Sequence, residues 1–359
     1  MYANRIDRLQ TAMTDTGVTA VLLSVGTDLP YFTGYEAMPL ERITMLVVRP
    51  TGVPTLVIPE LEVPRVKVDP AFEVRGWGEM EDSIGIVVDL AGDAGLVAVG
   101  DQCWSGFLLD LQRRIPGAFW QSATPLTLPM RMRKTADEVE ALRATAASAD
   151  RVAARLANQP FSGRTEADLT VWIEAALREE GNDGLSFQAI VASGPNAASP
   201  HHHGGSRVMT AGDTVVCDFG GRMGGYCSDT TRTFVVGEPS AAVAAAHAVL
   251  HSAQQAAVAA VRPGVTAESI DRVARQVIEE AGYGAYFIHR TGHGIGLDVH
   301  EHPYIVEGND LILEPGMAFS IEPGIYMPGE YGMRIEDIVV VTEDGVDNLN
   351  RSSRELVSV

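Results

Sequence analysis

The sequence predicts two domains of different architecture, an α/β domain over residues 1–128 followed by an α+β domain over residues 129–359. Three observations carry this expectation. A chain of 359 residues, 46% hydrophobic and 21% charged, exceeds what one core organises, so two globular bodies are expected. The first third alternates short amphipathic stretches with apolar runs. The remainder reads as two pairs of helices, each pair followed by strands.

In the first domain the runs AVLLSV, ITMLVV, TLVIP and LVAVG are separated by Gly, Pro and Asp, the pattern of α/β units around a buried sheet. The stretch from Leu29 to Arg42, LPYFTGYEAMPLER, is aromatic and reads as a loop able to line a binding site. The boundary is expected between Pro125 and Lys134, where prolines block regular structure and a basic cluster interrupts an acidic chain. Thr135 with Glu138 then forms a capping-box pattern for a helix reaching about Asn158, and Thr165 with Asp168 opens a second that stops at Gly181. A third helix follows Ser240 and runs to Val261, Pro263-Gly264 breaks it, and a fourth spans Thr266 to Ala281. The recurrence suggests two structurally related halves, although no residue-level repeat is visible.

A net charge of -20 and a pI near 4.8 argue against a nucleic-acid or anionic-membrane partner, since neither would meet a compensating basic face. The N-terminal stretch has no apolar core of a signal peptide and the chain has no run of 18 apolar residues, so a soluble, cytoplasmic protein is expected. Cys103, Cys217 and Cys227 are an odd count without metal-site spacing and are read as reduced thiols.

The chemistry gathers in the second domain. The stretch TVVCDFGGRMGGYCSDTTRTF reads as strand, turn, strand, and a turn at Met223-Gly224 sets Asp218 opposite Asp229 on one face. Two carboxylates with Cβ atoms ~5 Å apart repel and raise each other's pKa, unless a cation lies between them. Further on, HRTGHGIGLDVHEHP holds His289, His293, His300 and His302 in a glycine-rich segment. Glu322 ends an apolar strand and Glu336 lies inside MRIEDIVVV, where a buried carboxylate needs a partner: either Arg334, two residues earlier on the same strand face, or a metal ion. One histidine with four carboxylates is an oxygen-rich set suited to a pair of Mn²⁺, Co²⁺ or Zn²⁺ ions.

VVCDFGG with CSDTTRTF, TGHGIG, SIEPGIY and MRIEDIV, in this order, closely resemble the pita-bread metallopeptidases of the Xaa-Pro dipeptidase (prolidase) and aminopeptidase P group. The resemblance covers the chain strongly from about Arg131 onward, and more loosely before it through YFTGY. It implies a creatinase-like N-terminal domain and a pita-bread catalytic domain. It also implies two divalent ions per subunit, manganese foremost, with Asp218 on the first, His293 and Glu322 on the second, and Asp229 and Glu336 bridging. The implied reaction is metal-assisted hydrolysis of Xaa-Pro bonds. Glu322 would shuttle the proton, while His201, in SGPNAASPHHHGG, and His300 bind substrate and stabilise the developing charge. His202 and His203 have no counterpart in the group. A homodimer is implied, with the aromatic loop from Tyr31 to Arg42 approaching the other subunit's site.

The chain departs from the group at one position. Many prolidases carry an arginine after the HE-x-P segment that recognises the free proline carboxylate; here Tyr304 stands there, so Tyr304 and Arg334 become the substrate-binding candidates. The expected activity is an Xaa-Pro dipeptidase acting on small peptides with proline second. The alternatives are an Xaa-Pro aminopeptidase acting on longer peptides, and a non-enzymatic pita-bread protein that binds partners.

Overall fold

In the computed structural model, which describes every residue except Ala94, the chain divides between Arg131 and Met132 into two units. The first is built on a six-stranded mixed sheet with the order Glu73–Trp77, Thr55–Pro59, Met45–Val48, Val18–Leu23, Leu96–Val99 and Phe119–Ser122. The central strands Val18–Leu23 and Met45–Val48 are buried almost throughout, which explains why they read as unbroken apolar runs rather than alternating ones. Helices Tyr2–Thr16, Ser83–Ala91 and Ser105–Arg114 contribute buried residues such as Leu9, Met13, Val87 and Leu111.

Two local expectations are corrected here. The stretch expected to be an aromatic loop begins with a short helix, Asp28–Thr33, in which Tyr31 and Phe32 are buried and the Tyr31 hydroxyl donates to the Met130 carbonyl. Aromatic bulk draws this segment into the core, and Met38 and Leu40 stay outside. The proline-containing boundary is likewise helical, over Thr124–Met132. Pro125 sits in the first turn, where its missing N–H costs nothing, and Pro129 forfeits one hydrogen bond inside the helix.

The second unit contains the two halves that the helix pairs foreshadow. Helices Ala136–Leu156 and Glu166–Glu179 both start with complete capping boxes, at Thr135 with Glu138 and at Thr165 with Asp168. Their apolar faces, including Val152, Leu156, Leu169 and Ile173, pack with Val191, Val215, Cys217 and Phe234 of a four-stranded sheet. That sheet runs in the order Val357–Ser358, Thr230–Val235, Thr214–Phe219, Ile190–Ser193. Helices Ala241–Ala260 and Ala267–Glu280 pack Leu250, Ala257, Ile270 and Ile278 with Phe319, Ile321, Val339 and Val341. Those residues belong to a five-stranded sheet ordered Glu301–Ile305, Gly292–Gly294, Ala318–Ile321, Asp337–Val341, Val346–Asn348. The sheets meet where the Glu336 amide donates to the Thr231 carbonyl. Among the described residues, all three cysteines are free, and no helix is long and apolar enough to cross a membrane.

One titratable group lies inside this packing. His247, on helix Ala241–Ala260, is buried with Nε2 unpartnered, and burial first, then neighbouring His251, lowers its pKa to about 4. A histidine held neutral by the fold stabilises it above the unfolded pKa, and that contribution is lost as the pH falls through the folded value. Between pH 7 and 4 the loss is roughly 2–3 kcal/mol. His247→Leu should therefore flatten the acid limb of Tm against pH, measured by calorimetry on metal-free protein; an unchanged limb would refute the assignment.

Candidate active site

Five side chains arrive at one place, four from strand ends or breaks between strands and one from a three-residue strand. Asp218 lies one residue from the end of Thr214–Phe219, and Asp229 immediately precedes Thr230–Val235. His293 is the middle residue of Gly292–Gly294, and Glu322 follows Ala318–Ile321 directly. Glu336 falls in the gap between Tyr331–Arg334 and Asp337–Val341. Glycine beside His293 is required by contact: a Cβ on Gly292 would stand 1.9 Å from the Ser320 carbonyl oxygen.

The hairpin register differs from the expected one. Met223 pairs with Tyr226, so the turn is Gly224-Gly225, and Asp218 pairs with Thr231 rather than Asp229. Both turn glycines have positive φ, 56° and 88°, as a tight hairpin turn demands; Met223 would be strained in either place. The slip is two residues along the strand, which preserves the face, and Asp218 and Asp229 still converge.

Asp218, Asp229 and Glu336 bring carboxylate oxygens within 4.8 Å of one another; an imidazole nitrogen of His293 and oxygens of Glu322 and Glu336 do the same in a second group. Asp229, His293 and His300 form a third such group. His293 Nε2 is 3.2 Å from Glu322 Oε1 and 3.6 Å from Asp229 Oδ2, while its Nδ1 is 3.0 Å from the Gly294 carbonyl. The Nδ1 contact with that carbonyl orients the ring so that Nε2 faces the acids. The Ser320 hydroxyl donates to Glu322 and receives the His293 amide, fixing both.

Electrostatics set this cluster apart from an ordinary ion-pair network. Burial, followed by the neighbouring carboxylates, pushes Asp229 and Glu336 well above the usual carboxylate range. Asp218 is also raised by burial, against the pull of Arg334. Glu322 is the exception: burial would raise it, yet the hydrogen bond and charge of His293 hold it at about 2. Three buried oxygens, Asp218 Oδ1, Asp229 Oδ1 and Glu336 Oε1, have no hydrogen-bond partner. Orphaned carboxylate oxygens in three adjacent residues are costly unless a cation meets them, and the hard-oxygen donors with one imidazole fit divalent ions.

The expected Arg334–Glu336 pair is not formed. The strand breaks between the two residues, so their alternation is lost, and Arg334 Nη2 instead binds Asp218 Oδ2 at 2.6 Å. Its remaining donors reach Thr231 Oγ1, the Tyr326 hydroxyl and the Pro200 carbonyl. Glu336 Oε2 accepts from the Thr231 hydroxyl at 2.7 Å. Arg334 thus borders the site with its guanidinium already committed, which removes the reason for assigning it to substrate.

A cleft of about 750 Å³ opens onto the cluster, lined among others by Phe187, Ile190, His201, His203, His289, Arg290, Val299 and His300. His300 stacks edge-on against His293, ring centroids 4.0 Å apart, and burial followed by His293 lowers its pKa to about 4. The buried Lys134–Glu301 ion pair, 2.6 Å, anchors the residue next to His300. His201 and His203 face the cleft, whereas His202 turns away to Glu166 at 2.9 Å. Tyr304 is not a lining residue; its ring lies under the Arg290 guanidinium, 4.2 Å from the ring centroid. His302 stacks on the same ring.

Sequence reasoning passed over Thr231, Tyr326, Glu166 and Arg290. Thr231 stands two residues after Asp229 in DTTRTF, Tyr326 closes SIEPGIY and Arg290 follows His289 in HRTGHG, so those signals were available; Glu166 joins the site only through long-range contacts.

Residues 139–343 match metallopeptidase family M24, and residues 5–133 match the Creatinase/Prolidase N-terminal domain. The chain is 46% identical over 365 residues to the probable dipeptidase PepE of Mycobacterium tuberculosis, covering 100% of this chain and 97% of that protein. It is 38% identical over 359 residues to the Xaa-Pro dipeptidase of Lactobacillus helveticus, with 98% of each covered. The crystal structure of a recombinant prolidase from Thermococcus sibiricus matches with a TM-score of 0.96 at 37% identity, covering 100% of this chain and 99% of that one.

Proposed function

The chain belongs to metallopeptidase family M24, and from that premise we propose that it is an Xaa-Pro dipeptidase, cleaving dipeptides whose second residue is proline. Its catalytic domain is of the pita-bread type and follows a creatinase-type N-terminal domain. The observation that carries the reading is the convergence of orphaned carboxylate oxygens on His293 at a cleft of about 750 Å³, a volume suited to a small peptide.

In this reading Asp218, Asp229, His293, Glu322 and Glu336 hold two divalent ions, manganese first among Mn²⁺, Co²⁺ and Zn²⁺ because oxygen donors dominate. Ions held there supply Lewis acidity toward a peptide carbonyl and lower the pKa of water. The chain's own groups do the rest. Glu322, on the cleft wall beside His293, would accept the proton of the attacking water and return it to the proline nitrogen as the bond breaks. His201 and His300 line the same cleft and donate hydrogen bonds to charge developing on the carbonyl oxygen. The imide nitrogen offers no N–H, so the cleft wall needs no acceptor at that point, and the apolar Phe187, Ile190 and Val299 suit the proline ring.

Competition between Leu-Pro and Leu-Pro-Ala, read as specificity constants, tests the assignment. The dipeptide should win by at least ~10-fold, equivalent to ~1.4 kcal/mol in transition-state binding. A tenfold preference for the tripeptide would move the protein to the aminopeptidase P activity. The reading also includes a cytoplasmic homodimer, on the strength of the resemblance; light scattering across a dilution series should return twice the 38.4 kDa chain mass.

A further inference from the structure

A dipeptide substrate ends in a free carboxylate one residue beyond the scissile bond, and an acidic chain must meet that charge with a cation. Only two arginines and no lysine line the cleft among the described residues. Arg334 is committed to Asp218, Thr231, Tyr326 and Pro200. Arg290 is different. Its backbone carbonyl faces His289 Nδ1 at 2.7 Å, but its guanidinium makes no ion pair with any described residue. It is instead laid on the face of Tyr304, 4.2 Å from the ring centroid.

That placement is held from below. Tyr304 pairs across the strands with His293, and the Thr291 amide donates to the Ile305 carbonyl, so the ring is fixed beside the acidic cluster. A guanidinium held over an aromatic ring and paired with no acid keeps N–H groups free to make two parallel hydrogen bonds to a carboxylate. Arg290 and His300 line the same cleft as Glu322 and His293.

We propose that Arg290, seated on Tyr304, recognises the free carboxylate of the substrate's proline and thereby sets the preference for dipeptides. The inference rests on the dipeptidase reading above. A longer peptide carries its carboxylate at least one residue further away, and an amide carries none; neither can form the bidentate pair. Arg290 is accordingly a specificity determinant that leaves the hydrolytic chemistry to other groups.

The experiment compares metal-loaded wild type, Arg290→Met and Arg290→Lys on Leu-Pro and Leu-prolinamide. In the wild type the acid should be favoured by ~10²-fold or more, as expected for a charge-assisted bidentate contact. Arg290→Met should erase that preference, chiefly through KM for Leu-Pro, with Leu-prolinamide hydrolysis unchanged. Arg290→Lys should recover part of it, since it restores charge without the planar fork. Equal losses on both substrates would mean a structural role, and a preserved preference would mean another cation; either overturns the proposal. A calorimetric titration of L-proline against L-prolinamide reads the same contact without turnover. If the wild type fails to cleave Leu-Pro, the dipeptidase reading falls. The contact then stands only if Arg290→Met weakens L-proline binding ~10-fold or more and leaves L-prolinamide unaffected.

Discussion

Asp229→Asn should lower turnover of Leu-Pro by at least ~10³-fold and release divalent metal, yet raise the melting temperature of the metal-free protein. The opposition follows from the electrostatics of the site. Asp229 is 4% exposed, its Oδ1 has no partner, and burial together with Glu336, Asp218 and Glu322 disfavours its charge. The amide keeps the shape and removes the like charge, so the metal-free fold gains stability while the cation loses a donor. The gain should grow as the pH rises. A carboxylate whose folded pKa is raised contributes stability below its unfolded pKa and loses it as the pH climbs through the folded value; the asparagine carries no such loss. Metal analysis after dialysis, kcat/KM and thermal melts at two pH values check all parts. An active, metal-replete Asp229→Asn protein would contradict the ligand assignment.

His300→Ala and His201→Ala should each reduce kcat by ~10²-fold with metal content intact, because both rings line the cleft and, in the proposed reaction, would donate hydrogen bonds to developing charge. His202→Ala should behave otherwise. His202 serves Glu166, a fully buried carboxylate that also receives the Ser193 amide and hydroxyl, the Asn196 side chain and the Gly205 amide. These bonds clamp the 194–205 segment that carries His201, and they hold Glu166 below the usual carboxylate range although burial alone would raise it. Removing His202 leaves four kinds of donor in place, so a stability loss of ~1–3 kcal/mol is expected with kcat within a few-fold of wild type. Denaturant melts and kinetics on the three variants separate the cases. Damage to kcat at His202 alone would reassign the transition-state donor within this segment.

The boundaries of the four long helices of the second unit were legible in the sequence because caps and breakers act locally. Thr135, Thr165 and Ser240 each meet a backbone amide three residues on, so the reading needs nothing from the rest of the chain. The chemical kind of site was legible for a related reason. Carboxylates set at the ends of apolar strands must be paired, neutralised or metal-bound wherever the strands lie, and motifs around Asp218, Asp229, His293, Glu322 and Glu336 narrowed the choice. What local chemistry could not decide was partnership across long separations. Asp218 and Arg334 lie 116 residues apart and meet at 2.6 Å, while the nearer Glu336 is lost to Arg334 because the strand breaks between them. His202 is drawn to Glu166, 36 residues away, which leaves its neighbours His201 and His203 facing the cleft. The two-residue slip of the hairpin depends on which glycine pair takes positive φ, and packing against neighbouring strands fixes that register. Arg290 remained hidden because its significance is an absence: among the described residues the fold brings it an aromatic ring and no acid, and only the tertiary structure determines which cations are already paired.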